Sequence, residues 1–342
     1  MRADVKYLLI AEDFTNVSTA RYRSWNRMDQ MRHAGLDTIL YVGLRNNPNL
    51  WIDTKGRTAI VQRLPYTPKD TAYFERLKSE CVRVGFDIDD LIYEHHRLPH
   101  TVNIKPELCL QYVRAIHWAD FVTCSTPELA TEIRNYWFGK PVYVIPNVID
   151  QKITTALTNA DLTPRNSSRV TIGYTSATLT HQKDFELVMS VLDGLLQSFP
   201  HIDVVLVGTL DHEMAFVKKW GNRVQLWPFV TYDALPFLIH GTIDINLVPL
   251  IDTPFNRCKS LVKWLEAAIV GVPTVCSRIG QFKNLPEGTA YCAVTPEEWR
   301  YFIELLIRSK EHRQEIGNKA RRHAFSQYTY LNPYPLSCLK DI

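Results

Sequence analysis

The segment Phe255-Asn256-Arg257-Cys258-Lys259-Ser260-Leu261-Val262-Lys263-Trp264-Leu265-Glu266-Ala267-Ala268 holds the densest set of side chains able to handle an anion. Ser260 reads as the N-cap of a helix, Gly271 as the glycine just past its end, and Pro273 as the residue that forbids continuation. At about 100° per residue, Lys259, Lys263 and Glu266 share one stripe, and Leu261, Leu265 and Ala268 the opposite face. Lysines four apart on a helix repel by about 0.2–0.5 kcal/mol, and both stand near the positive end of the helix dipole. A bound anion relieves both costs. An amphipathic helix whose polar stripe simply faces water is the competing reading.

Four other stretches could do chemistry. Asp87-Ile88-Asp89-Asp90 follows a strand read at Val82–Phe86, and its carboxylates must meet a metal, a cation or a substrate hydroxyl to offset their repulsion. A D-x-D metal site, an acidic pair binding an acceptor or serving as catalytic base (Asp89, Asp90), and a dipole-favoured helix start all fit. His95, His96 and His100 follow without the cysteine or further carboxylate of a zinc set, so no metal is expected, and His95 is a candidate base toward an acceptor hydroxyl. Ser18-Thr19-Ala20-Arg21-Tyr22-Arg23 opens a helix over Ala20–Gly35, where Arg21 and Arg23 either hold an acidic acceptor or are solvated. Gly173-Tyr174-Thr175-Ser176-Ala177-Thr178 leads through His181, Lys183 and Asp184 into a helix over Phe185–Leu196. Small, hydroxyl-bearing residues there let the backbone approach a phosphate, or make an ordinary strand-to-helix loop.

The elements that must position these groups alternate. Apolar strands at Tyr7–Ala11 and Thr38–Val42 bracket the first helix, and a strand ending in the hydroxyls of Thr123, Ser125 and Thr126 precedes a helix over Pro127–Trp137. A strand then runs through Pro141–Ile145 into Pro146-Asn147. This is the pattern of a parallel sheet covered on both faces. Residues 151–169 are polar and aperiodic and read as a linker, after which strands at Val170–Tyr174, Ile202–Gly208, Val224–Leu226 and Ile243–Pro249 renew the alternation. The expected organisation is a first α/β domain over 1–150, the linker over 151–169, a second α/β domain over 170–325 and a tail over 326–342.

At 342 residues with 46% apolar and 22% charged side chains, the composition is that of a two-domain globular chain. A net charge of +3 and the absence of any nucleic-acid signature argue against nucleic acid as a partner. The segment Glu12–Thr19 lacks G-x-G-x-x-G, which argues against a classical dinucleotide site. Seven scattered cysteines without a C-x-x-C pair, and no signal peptide or membrane span, point to the cytoplasm. Arg313, Lys319, Arg321 and Arg322 alternate with Glu311 and Glu315 in two C-terminal helices, Glu297–Arg308 and Glu311–Phe325, where a solvated face competes with peripheral contact at the inner face of the membrane.

Tyr143-Val-Ile-Pro146-Asn147-Val-Ile-Asp150, Gly173-Tyr-Thr leading to Lys183, the segment Val224–Val230, and Leu265-Glu266-Ala267-Ala268 with Gly271-Val-Pro273-Thr-Val275 together resemble the GT-B glycosyltransferases of retaining family four, particularly bacterial surface-polysaccharide transferases. The resemblance implies two Rossmann-like parallel-sheet domains facing across a cleft, with no cofactor. It implies transfer of a sugar, with retention, from a nucleotide sugar to a glycan, lipid-linked or other acceptor. Glu266 matches the second glutamate of the family's E-x7-E motif, which contacts the donor ribose, while the first glutamate falls on Cys258. Lys183 matches the lysine of the phosphate-binding pair, Thr175 or Ser176 stands near the arginine's place, and Lys259 is expected to supply the missing charge. Donor-binding groups are then Gly173, Thr175, Ser176, Phe229 and Val230 (beside the base), Ser260, Lys263 and Glu266, with Lys183, Lys259, Asp89, Asp90 and His95 as catalytic candidates. Two rivals share the architecture: a sugar-nucleotide 2-epimerase and a non-catalytic binding subunit.

Overall fold

Twelve strands form two sheets of six in the computed structural model, which describes residues 6–11, 18–44, 47–99, 102, 104–136, 139–160, 162–163, 165, 167–176, 182–209 and 215–341. The first sheet holds β1 (Lys6–Ala11), β2 (Asp37–Val42), β3 (Arg57–Gln62), β4 (Arg83–Ile88), β5 (Phe121–Cys124) and β6 (Val142–Val144). The second holds β7 (Val170–Ser176), β8 (Ile202–Gly208), β9 (Val224–Trp227), β10 (Ile245–Val248), β11 (Thr274–Ser277) and β12 (Tyr291–Ala293). Among the described residues every strand pairing within the two sheets is parallel. The chain divides into two compact units, Met1–Thr154 with Arg257–Ser260 and Tyr328–Ile342, and Thr155–Asn256 with Leu261–Gln327. Glu12–Val17, His100, Trp137, Ala177, Thr178 and His181, all named above, lie outside the described residues.

In the first unit the strand order is β2-β1-β3-β4-β5-β6. Tyr7 through Ala11 are buried without alternation, as a strand covered on both faces requires. Tyr7, Leu9, Met31, Leu36, Ile60 and Phe121 pack with Leu336 and Leu339 of the C-terminal segment, and the Tyr7 hydroxyl donates to the Leu339 carbonyl. No strand is predicted above at Arg57–Gln62. It fills the slot between β1 and β4, where burial against neighbours, not local pattern, selects the strand. The expected helix over Ala20–Gly35 is interrupted: a turn at Ser18–Ala20 passes into a π-helical stretch, Arg21–Trp25, and then a regular helix, Asn26–His33.

In the second unit the order is β12-β11-β10-β7-β8-β9. Its core gathers Ile172, Tyr174, Phe185, Leu192, Leu206 and Trp299. Residues 151–159 are not aperiodic linker. They form a helix, Gln151–Asn159, begun by the Asp150 carboxylate, which accepts from the Ile153 N–H at 2.8 Å, and seated by buried Ile153 and Leu157. Two apolar residues four apart among Thr and Asn are a weak signal until a core receives them. The C-terminal helices run Pro296–Arg308, opened by a capping box of Thr295 and Glu298, and Lys310–Gln327. Gly271 ends the helix Val262–Ala268 in the left-handed conformation (φ 76°), with the Val272 N–H reaching back to the Ala267 carbonyl. A Cβ on Gly317 would lie 1.9 Å from the Gly271 carbonyl oxygen, so that glycine sets how closely the last long helix approaches this turn. Among the described residues no helix is long and apolar enough to cross a membrane.

Candidate functional site

In the first sheet β2 and β3 flank β1, so the strand order reverses between β1 and β3. Open α/β sheets bind ligands beyond the carboxyl ends of their strands at such a reversal. Arg63, the first residue past β3, lies there with φ 49°, a left-handed conformation that costs a non-glycine residue about 1–3 kcal/mol. Its N–H donates to the Asp87 carbonyl at 2.9 Å. Its Nη1 lies 3.3 Å from Asp89 Oδ1, 3.7 Å from Asp90 Oδ2 and 3.4 Å from Thr19 Oγ1. Lys259 donates to Asp90 Oδ1 at 2.9 Å, and the Ser125 hydroxyl donates to the Asp89 carbonyl at 3.0 Å. Burial, and then repulsion from Asp90, push the Asp89 carboxyl above its ordinary range in spite of Arg63. A raised carboxyl at a strand's carboxyl end suits proton transfer.

Beneath this cluster a second ion pair is structural. Asp87 is buried at the end of β4, where Arg23 Nε and Nη2 donate to its two oxygens at 2.9 and 2.6 Å and the Thr123 hydroxyl adds a third bond. Arg23 is itself only 3% exposed and spends Nη1 on the Ile145 carbonyl and Asn147 Oδ1. Arg23 is therefore not an acceptor-binding residue, since a guanidinium turned to a buried carboxylate has no face left for a ligand. Arg21 is likewise engaged by the Asp150 carboxylate. The three aspartates thus separate: Asp87 belongs to the scaffold, and Asp89 and Asp90 to the candidate site. Cations already offset the repulsion that raised a D-x-D metal site. His95 stands exposed on the turn His95–Arg97.

The segment Phe255–Ala268 spans parts of two helices. Pro254–Arg257 is a short helix, Cys258–Leu261 a turn, and Val262–Ala268 the next helix, whose N-cap position is Leu261 with no side-chain cap. Ser260 is not that N-cap, and its hydroxyl instead accepts from Asn147 Nδ2 at 3.0 Å. Lys259 is off the helix and salt-bridged, so the lysine stripe and its repulsion do not exist. Cys258 is 2% exposed, its carbonyl accepts from the Thr126 hydroxyl at 3.0 Å, and burial pushes its thiol up to about 12. A neutral thiol cannot stand in for a carboxylate.

In the second sheet the reversal lies between β7 and β10. Thr175 and Ser176 end β7 and are buried, and the Ser176 carbonyl accepts from the Thr209 N–H at 2.9 Å. A Cβ on Gly208 (φ 105°) would lie 1.9 Å from that oxygen, which explains the glycine. Asp184 Oδ1 accepts from the Ile251 N–H and Asn256 Nδ2, both at 2.9 Å, and so holds the loop after β10. Lys183 beside it is exposed. Gly173 lies inside β7, where a Cβ would meet Ile243 Cδ1 at 2.3 Å. Packing against Ile243, not a phosphate, accounts for it. Lys263 Nζ sits 4.6 Å above the Tyr174 ring, and its carbonyl accepts from Asn246 Nδ2 at 3.2 Å. Glu266 is 7% exposed, on a helix whose residues Trp264 to Ala268 are all buried, so it is not a solvated surface residue. Past β9, Phe229 is 52% exposed, an aromatic face open to stacking.

Sequence reading missed Arg63, whose only local sign is its place after a β-branched run, and Arg27, a buried guanidinium that clamps the Ile145 and Pro146 carbonyls at 3.0 and 2.6 Å. Burial lowers the affinity of Arg27 for its proton well below normal, with Arg23 adding repulsion.

No family model and no curated protein matches the chain. Solved structures do share its fold along nearly its full length. Sucrose-phosphate synthase from Thermosynechococcus elongatus matches with a TM-score of 0.63 at 13% identity, covering 98% of each chain. A glycosyltransferase from Rickettsia africae matches at 0.62 and 13%, covering 99% of this chain and 98% of that one. The catalytic domain of starch synthase IV from Arabidopsis thaliana, bound to ADP and acarbose, matches at 0.63 and 10%, again covering 99% and 98%. The chain has the two-sheet GT-B fold.

Proposed function

We propose that the chain is a glycosyltransferase that moves a sugar from a nucleotide-sugar donor to a glycan, lipid-linked or other acceptor, with retention, as in retaining family four. The fold likeness to glycosyltransferases over 98–99% of both chains carries this reading. In it the second unit takes the donor, with Phe229 and Val230 at the base, Glu266 at the ribose, and Lys183, Lys263, Thr175 and Ser176 at the diphosphate. Cationic groups there would stabilise charge growing on the leaving nucleotide. The first unit takes the acceptor, with Asp89 as the first candidate base, Asp90 and His95 as the other candidates, and Arg63 and Lys259 as positioning residues that hold the acidic pair. Because these cations already meet the aspartates, activity is expected to survive EDTA.

A sugar-nucleotide 2-epimerase is the second reading, favoured by a likeness to a UDP-GlcNAc 2-epimerase from Neisseria meningitidis at a TM-score of 0.53, below the 0.62–0.63 of the transferases. Buried, neutral Cys258 supports a third, a non-catalytic binding subunit. Incubation with a panel of nucleotide sugars and acceptors separates the three. The expected outcome is free nucleotide with a glycosylated acceptor. An interconverted nucleotide sugar, or no turnover at all, overturns it.

A further inference from the structure

The second unit carries a concave basic site at the amino-terminal ends of its strands, opposite to the edge where open α/β sheets take substrates. Asp244 precedes β10, Val272 and Pro273 precede β11, and the helices Leu235–Thr242 and Lys310–Gln327 close the sides. Its ionisable lining is Arg165, Lys310, Arg313, Arg321 and His240 against the single carboxylate Asp244. Asp244 Oδ2 accepts from Arg165 Nη2 at 2.6 Å and from the Thr171 N–H at 2.8 Å, which ties the carboxylate to the wall of the pocket. Among the described residues, Lys310, Arg313 and Arg321 make no ion pair.

Both arginines are held in place by carbonyl oxygens. Arg313 Nη1 donates to Leu306 and Ile307 at 2.6 and 3.2 Å, and Arg321 Nε and Nη2 donate to Ile269 and Leu157 at 3.3 and 3.1 Å. Neutral acceptors orient a guanidinium without cancelling its charge, and the remaining N–H groups make no hydrogen bond with the described residues. Burial lowers the affinity of both for their protons, and at Arg313 the fields of Asp244 and Glu311 offset part of this. Gln314 and Asn318 add neutral hydrogen-bonding groups on the same helix, and Ile243, Val272 and Pro273 an apolar wall. Oriented arginine forks beside a lysine suit a phosphate group, and the amides and apolar wall suit a small organic body attached to it.

We propose that this pocket binds a small phosphomonoester, at a site separate from the carboxyl-edge groups, with Lys310, Arg313 and Arg321 taking the phosphate. Ligand there joins the last long helix to the strand starts of β10 and β11 and steadies the second unit. Calorimetric titration and thermal melting of the full chain with inorganic phosphate and with glycerol 3-phosphate test it. Saturable binding of both is expected, tighter for glycerol 3-phosphate, with a raised melting temperature. Lys310→Glu, an exposed position that should fold normally, is expected to weaken both by at least about tenfold. Arg313→Gln should do the same, and if it fails to fold, Lys310→Glu decides alone. Three results overturn the proposal: no saturable binding at millimolar concentrations, binding of phosphate without glycerol 3-phosphate, or equal binding and stabilisation in Lys310→Glu. The last is the mark of a general salt effect on the surface.

Discussion

The carboxyl edges of the two sheets are built on different electrostatics. On the first, charges of both signs pair with one another: Arg23 with Asp87, Arg63 with Asp89 and Asp90, Lys259 with Asp90. On the second, the Ser176 carbonyl at the end of β7 and the carboxylate of Asp184 hold the loops, while Lys183 is exposed and Lys263 rests on an aromatic face. A paired network holds its side chains in one arrangement. The carboxyl edges of the two sheets thus differ in how their charged side chains are held.

Breaking the buried pair should give the largest effect. Arg23→Met leaves Asp87 charged in the interior, and we expect a loss of about 3–5 kcal/mol in urea unfolding, the range for removing one partner of a buried pair. Adding Asp87→Asn should recover much of it. If Arg23→Met unfolds like the wild type, Arg23 is no scaffold residue and the contrast between the edges fails.

On the second edge the effect should fall on ligand and not on stability. Glu266→Gln keeps shape but removes charge, and on the ribose reading it weakens nucleotide-sugar binding by about 1–3 kcal/mol with an unchanged melting temperature. Unchanged affinity would remove Glu266 from the donor site.

Lys259→Ala sharpens the comparison, because a lysine on a crowded stripe and a lysine paired with Asp90 respond oppositely. Relief of repulsion would stabilise the apo protein. Loss of the Asp90 partner, at side chains 20% and 17% exposed, should destabilise it by about 1 kcal/mol, near the upper end for solvent-accessible pairs. A raised melting temperature would restore the stripe.

The smallest effect is expected at Asp89. Because its carboxyl is raised in the fold by burial and by Asp90, its favourable contribution is complete below the ordinary carboxylate range and is lost as pH rises through the folded value. Asp89→Asn stays neutral throughout. It should be level with or more stable than the wild type at neutral pH, and the gap should close as the pH falls below about 4. A variant less stable at pH 7 and level with the wild type in acid would show that the Arg63 contact outweighs burial.

Some of this was legible locally. Ile202–Gly208 reads as a strand and is one, and Gly271 with Pro273 marks a helix end because only a residue tolerant of positive φ closes that turn. Ser260 misled because a serine before a helical run is a good cap signal, yet its hydroxyl accepts from Asn147, which lies 113 residues away. Gly173 misled because a glycine near a strand end suggests a phosphate loop, when it makes room for Ile243.

Periodicity, punctuation and composition determined the two runs of alternating strands and helices, and with them the fold class, because those signals act within a few residues and survive any arrangement of the rest. Charge partners are a different matter. Arg23 and Asp87 are 64 residues apart, and Lys259 and Asp90 169. Nothing in either segment specifies the other until the strand order brings the carboxyl ends of β1, β3 and β4 together. Which aspartate is scaffold, which is raised, and which lysine is paired were decided only by tertiary structure, since the energy of a charge depends on its depth and its neighbours and not on its place in the chain.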